Sequence, residues 1–171
     1  PAGATASFVN YVEGIYVGYR YWETAADEGV VDYDASVQYP FGYGLSYTTF
    51  EQTLDSVSAD DTDVKASVTV TNTGSASGKQ VVEIYFTAPY KEGGLPKSAV
   101  VLGGFAKTSE LAAGASETVE VSFPVRRMAS WDSDKSGYVL DSGDYDISLR
   151  TDSHTVVDSK PVTVAAKTYT T

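Results

Sequence analysis

The sequence predicts an all-β protein: an antiparallel β-sandwich of the immunoglobulin-like kind, preceded by an extended, aromatic-rich arm. Three observations carry this reading. Between residues 51 and 165, short runs alternate apolar and polar side chains, the period of a strand with one buried face. Turn residues separate these runs at close intervals, with no long helical pattern between them. The first 50 positions hold 12 of the 21 aromatic residues.

The arm comes first. Phe8, Tyr11, Tyr16, Tyr19, Tyr21, Trp22, Tyr33, Tyr39, Phe41, Tyr43, Tyr47 and Phe50 are interspersed with Gly14, Gly18, Gly29, Gly42 and Gly44 and form no helical stripe. Fifty residues cannot enclose that much apolar surface by themselves, because so small a unit buries too little of its own area. The arm is therefore expected to lie against another surface, either the domain that follows or one outside this sequence. Ile15, Val17, Tyr19 and Tyr21 fall on one strand parity and Tyr16, Arg20 and Trp22 on the other. Apolar bulk on both parities predicts a strand or clasp buried on both faces.

Six or seven short strands are expected beyond residue 50, six of them at definite runs. Residues 64–71 alternate cleanly and stop at the turn residues Asn72, Thr73 and Gly74. Residues 80–86 run up to Pro89, and 100–105 are apolar with two glycines. Residues 118–123 alternate up to Pro124, 145–150 follow the turn Ser142-Gly143-Asp144, and 160–164 close the domain. Alternation implies antiparallel sheets, each with one face in the core. Trp131, Phe105, Phe123, Leu149 and Val70 are the expected core residues.

Composition removes several function classes. The net charge is −11 and the 12 basic residues are scattered, whereas a protein gripping a phosphate backbone gathers its cations on one face. No nucleic-acid partner is expected. No apolar run approaches the roughly 18 residues that cross a bilayer, so no membrane partner is expected. With no cysteine there is no disulfide, thiolate nucleophile or cysteine–zinc site, and the compartment, cytoplasmic or secreted, stays open. The one histidine, His154, lies in a Thr-Asp-Ser-His stretch that reads as a solvated turn. No cofactor and no metal are expected. The chain starts at Pro1 without a methionine and reads as though cut from something longer.

Three segments then point to a family. EGIYVGYRY at 13–21 resembles the stretch that ends the second catalytic domain of family 3 glycoside hydrolases. YPFGYGLSYTTF at 39–50 is similar to that family's signature at entry to its last domain. VTVTNTG at 68–74, the 102–105 run with Lys107, Leu111 and Gly114, and Trp131-Asp132 followed by Gly143-Asp144-Tyr145 resemble its fibronectin type III-like domain. The resemblance implies a division into an arm from the end of the α/β sandwich catalytic domain, 1–50, and a fibronectin type III-like domain, 51–171. It implies a retaining exo-glycosidase, often a β-glucosidase or β-xylosidase, acting on a β-linked saccharide. Retention uses two carboxyl groups about 5–5.5 Å apart. In the family these are an aspartate on a (β/α)8 barrel and a glutamate on the α/β sandwich domain. Neither motif occurs in this sequence, so no catalytic residue is assigned. The partners implied are those two remaining catalytic domains, braced by this portion.

Glu13 opens the family-like motif, but no partner carboxylate at hydrolytic distance is identifiable, so it is not read as catalytic. Arg20, flanked by Tyr19, Tyr21 and Trp22, suits stacking or an ion pair that clamps the arm to a neighbouring domain. Arg20 and Trp22 are also the candidates for substrate contact, because carbohydrates favour aromatic faces. Asp132-Ser133-Asp134 imitates the start of a calcium loop, but its twelfth position is Gly143 rather than glutamate, which leaves a plain turn. The glycines of 40–44 lack the Lys-Ser/Thr ending of a phosphate loop and are read as letting the chain pass close to aromatic rings. A carbohydrate-binding or interaction module is the alternative; a carbohydrate-binding module requires a row of exposed aromatics on one sheet face.

Overall fold

The computed structural model describes residues 8–170; the first seven residues of the arm and Thr171 lie outside the described residues. In chain order the helices are α1 (Tyr19–Asp27) and α2 (Tyr33–Ser36). The strands are β1 (Phe50–Ala59), β2 (Asp63–Asn72), β3 (Val81–Thr87), β4 (Val101–Lys107), β5 (Ser116–Pro124), β6 (Ser130–Asp132), β7 (Gly137–Leu140), β8 (Gly143–Arg150), β9 (Val156–Val164) and β10 (Lys167–Thr170). A single 3-10 turn, Val125–Met128, links β5 to β6.

Two antiparallel sheets face one another, ordered β1-β2-β5 and β4-β3-β8-β9, and a small sheet β10-β7-β6 closes one end. All six expected strands are present. Alternation places the core: Val64, Ala66, Val68 and Val70 of β2 meet Val82, Ile84 and Phe86 of β3 and Tyr145, Ile147 and Leu149 of β8. Phe123, Leu149 and Val70 are buried as expected. Pro161, which cannot donate to a ladder, sits in β9, at the sheet edge where it is tolerated.

Two expected core residues are outside it. Phe105 is 69% exposed. A β-bulge leaves Gly103 unpaired between the Leu102–Tyr85 and Gly104–Ile84 pairs, which resets the parity of β4. Ala106 and Gly104 then face the core with Val82 and Ile84, and Phe105 is turned out beside Glu83. Gly103 is held under the Phe123 ring, where an added Cβ would lie 2.5 Å from it. Trp131 is 46% exposed because β6 has three residues and belongs to the small marginal sheet, where its parity buries Asp132 instead.

The arm also departs from expectation. Residues 19–27 form a helix rather than a strand or clasp. Gly18 opens it at φ 61° and Gly29, at φ 68°, follows its C-cap residue Glu28, with Gly29 N–H bonded to Ala26 C=O and Val30 N–H to Ala25 C=O. This is the left-handed glycine stop common at helix ends. Asp32 caps α2 by accepting from Ala35 N–H. The second sheet is likewise not open on one face. Every residue of β3 from Val82 to Phe86 is buried, because the arm covers its outer side.

Candidate functional site at the junction of arm and sandwich

The arm docks on the outer face and edge of the four-stranded sheet. Tyr19, the first residue of α1, stacks on Phe41 at 4.5 Å, meets Tyr85 edge-on at 6.3 Å, and accepts from the Leu102 backbone N–H at 2.9 Å. One turn later Thr24 Oγ1 accepts from Ala99 N–H at 3.0 Å while donating to Arg20 C=O. Before the helix, the Tyr16 hydroxyl donates to Lys97 C=O at 3.2 Å. After it, Phe41 C=O accepts from Ser153 N–H at 2.7 Å. At the entry to β1, Thr48 donates to the buried side chain of Asn72, whose amide in turn donates to Ala76 and Leu111 carbonyls.

Glu23 is the centre of this junction. It lies on the sandwich side of α1 and is 6% exposed. One carboxylate oxygen accepts from the Tyr33 hydroxyl at 2.7 Å and the Ser153 hydroxyl at 2.6 Å. The other is 2.9 Å from His154 Nδ1. The imidazole stacks flat on Tyr33, ring centres 3.7 Å apart. His154 is thus no free solvated loop residue: the turn 151–155 aims it at α1. Asp152 shapes that turn by accepting from the His154 and Thr155 N–H groups. Burial, with the bond to Glu23 second, pushes the Tyr33 hydroxyl up to about 12, so Tyr33 remains a donor at neutral pH. Two hydroxyl donors on one oxygen and the imidazole nitrogen at hydrogen-bond distance from the other give both buried carboxyl oxygens of Glu23 a partner.

A second carboxylate lies under the arm. Glu83 accepts from the Tyr85 hydroxyl at 2.7 Å, and the chain passes it at Gly42, where φ is 89° and a Cβ would collide with the carboxylate. Gly42 is needed for the close approach to Glu83, not to an aromatic ring. Burial raises the Glu83 carboxyl above its ordinary range, the Tyr85 bond opposing, and burial also pushes the Tyr85 hydroxyl upward. Arg150 sits above the Tyr85 ring, donates to Ser148 Oγ and Ser153 C=O, and is shifted down by burial. Each of these groups holds structure at the junction.

The sequence candidates separate. Arg20 is half-buried at a recess with Trp131, while Trp22, 37% exposed, meets Tyr21 edge-on at 5.0 Å and does not line that recess. Glu13 is exposed on the far side of α1 beside Tyr16 and Tyr21. Asp132 caps the β6–β7 turn through the Asp134 and Lys135 N–H groups and pairs with the Lys135 ammonium at 3.0 Å, which together lower its carboxyl. Sequence reasoning missed Glu23, Tyr33, Ser153 and His154 as one cluster, because 130 residues separate its two halves.

The arm turns its other surface outward. Tyr21, Trp22, Ile15 and Val17 are exposed, as are Tyr39, Phe41, Tyr43, Leu45 and Tyr47 of the loop before β1. Comparison with known proteins sets the chain in a family. Residues 80–153 match the fibronectin type III-like domain family. The chain is 42% identical over 163 residues to β-glucosidase A of Butyrivibrio fibrisolvens, covering 84% of this chain and 19% of that protein. It is 34% identical to an exo-α-(1→6)-L-arabinopyranosidase of Bifidobacterium longum, covering 90% of this chain and 19% of that protein. Among solved structures, β-glucosidase 3B of Thermotoga neapolitana in complex with α-D-glucose superposes with a TM-score of 0.82 at 35% identity, over 94% of this chain and 21% of that one. The chain therefore spans about a fifth of the length of these relatives. It belongs with the C-terminal, fibronectin type III-like part of the family 3 glycoside hydrolases, β-glucosidase-like in sequence.

Proposed function

We propose that this chain is the non-catalytic bracing portion of a retaining family 3 exo-glycosidase of the β-glucosidase or β-xylosidase type. Residues 1–50 complete the end of the α/β sandwich catalytic domain, and residues 51–171 form the domain that supports it. The observation that carries the reading is the two-sided arm: Glu23 and Tyr33 are buried against Ser153 and His154 of the sandwich, while Tyr21, Trp22, Ile15 and Val17 of the arm are exposed. Exposed large apolar residues gathered on one short segment suit an interaction site. The partners are the α/β sandwich and (β/α)8 barrel domains, which hold the nucleophile and the acid/base and meet the β-linked substrate. Relatives whose names give different sugars match the chain to similar extents, which supports assigning sugar choice elsewhere.

Two measurements test this. The purified chain shows no turnover of aryl β-glucosides or β-xylosides; activity that survives repurification overturns the non-catalytic assignment. In the intact parent enzyme, Tyr21→Ser with Trp22→Ser opens the junction to limited proteolysis; an enzyme as resistant as wild type overturns the brace.

A second reading, saccharide binding by this portion itself, is favoured by one feature. Trp131, Tyr138 and Tyr169 are cross-strand neighbours in a row over β6, β7 and β10. Affinity electrophoresis in soluble β-glucan, with Tyr138→Ala as the control, decides it: retardation that this variant abolishes establishes saccharide binding, and unchanged mobility excludes it.

A further inference from the structure

A recess of about 420 Å³ opens between α1, the loop before β4 and the β6–β7 hairpin. Three cations reach it: Arg20 from α1, Lys97 from the loop, and Arg127 from the 3-10 turn. No aspartate or glutamate among the described residues lines it, although acids outnumber bases 23 to 12 in the chain. Lys97 is already answered, by Asp141 at 2.7 Å and Ser130 Oγ at 2.8 Å. Arg127 gives one N–H to Gly103 C=O at 2.8 Å, and no carboxylate pairs with Arg20 or Arg127 among the described residues. The wall opposite Arg20 is aromatic, Trp131 and Tyr138, and Ile15 contributes an apolar rim that is 37% exposed.

We propose that this recess is a socket for an acidic side chain, flanked by apolar residues, that belongs to the remaining domains of the parent enzyme. The inference rests on the bracing reading and names the chemistry of the partner. Two guanidinium groups without a carboxylate, Arg20 half-buried and Arg127 exposed at the mouth, are complementary to one, and the planar fork of arginine suits two-point contact with it. A neutral sugar would use the aromatic wall and leave both cations unanswered. The relatives carry about four-fifths of their length outside the matched portion, which is the chain available to supply the peg. Ile15 lines the recess and is itself exposed on the arm, so one partner surface engages both.

The test is side-chain oxidation footprinting on the intact parent enzyme, with the lone 171-residue chain as reference. Trp131, Tyr21 and Trp22 are all protected in the wild-type enzyme relative to the lone chain. Arg20→Gln raises the Trp131 rate toward that of the lone chain, with docking weakened about tenfold or more, as expected for removing one partner of a desolvated charge pair. Arg20→Lys restores part of the protection, and Phe105→Ala, away from the recess, changes nothing. If Arg20→Gln unfolds the enzyme, wild type and Arg20→Lys titrated with KCl give the reading instead: Trp131 protection declines with salt, faster in the lysine variant. Tyr21 and Trp22 unprotected in the wild-type enzyme would sink the brace itself. Protection there with Trp131 indifferent to Arg20 and to salt would overturn the socket alone. Binding of glucuronate or cellobiose to the lone chain, followed at the Trp131 indole N–H and lost in Arg20→Gln, would make the recess a saccharide site and overturn the proposal. An Arg20-dependent dimer of the lone chain in sedimentation would overturn it in favour of a second copy.

Discussion

The two outer faces of the sandwich, one per sheet, have opposite characters. On the β1-β2-β5 sheet the outward positions of β2 and β5 are polar side chains, from Lys65 and Glu120 to serines and threonines, that no other part of the described chain buries. Thr69 bonds Asp55 and Thr118, and Thr71 bonds Ser116, in a ladder across the strands. On the β4-β3-β8-β9 sheet the outward positions of β3 are Glu83 and Tyr85, buried beneath the arm. The same architecture thus has one face finished by water and the other by its own chain. A strand can read as alternating or as continuously apolar according to which face it belongs to: VKASVTVT in β2 and VVEIYF in β3 differ for this reason.

Tyr85→Ala sharpens the contrast most. Tyr85 is fully buried on the covered face, so its removal costs about 3–5 kcal/mol in urea unfolding of the lone chain. Thr69→Ala, on the bare face, stays within about 0.5 kcal/mol. Similar costs at the two sites would mean that the arm does not dock in solution. Glu23→Ala comes next. It strips Tyr33, Ser153 and His154 of their shared partner and costs about 1–3 kcal/mol. Proteolysis within residues 28–47 should rise in that variant; an unchanged digestion pattern would show that the network is not what holds the arm.

Glu83 gives a pH-dependent version of the comparison. Its folded carboxyl is raised, so the folded chain binds a proton more readily than the unfolded one. Its contribution to stability therefore falls as pH rises from the ordinary carboxylate range through the raised value, and above that the buried charge is carried at full cost. Glu83→Gln keeps an acceptor for Tyr85 and removes this slope. The variant should match wild type in acid and exceed it at pH 7, and a parallel offset at all pH values would contradict the burial argument. Trp131→Ala is a small effect as well, below about 1 kcal/mol in the lone chain, since the ring is half exposed and meets Tyr138 edge-on.

That last expectation reverses what the sequence suggests, and the reason is instructive. Alternation located the strands, and it placed Val70, Phe123 and Leu149 inside, because parity is a local property. Phe105 was misplaced by a one-residue bulge, which alternation cannot register, and Trp131 by the shortness of β6. Helix α1 was missed although its ending was legible: Ala25 and Ala26 followed by Gly29 is a helix with a glycine stop, obscured by the aromatics of its first turn. The family resemblance was carried by motifs at 13–21 and 39–50, yet the residue that joins them to the sandwich, Glu23, lies between those motifs. Its partners Ser153 and His154 are brought to it only by the fold.

The central claim is that the arm is half satisfied by the sandwich and completed by domains beyond this chain. Hydrogen exchange over residues 13–36, in the lone chain and in the intact enzyme, tests it most directly. The account predicts partial protection of residues 19–27 in the lone chain, where Tyr19, Glu23 and Thr24 hold the helix to the sheet. It predicts a marked rise across 13–22 in the intact enzyme. Equally strong protection of 13–22 in both forms would contradict it, since the arm would then need no partner.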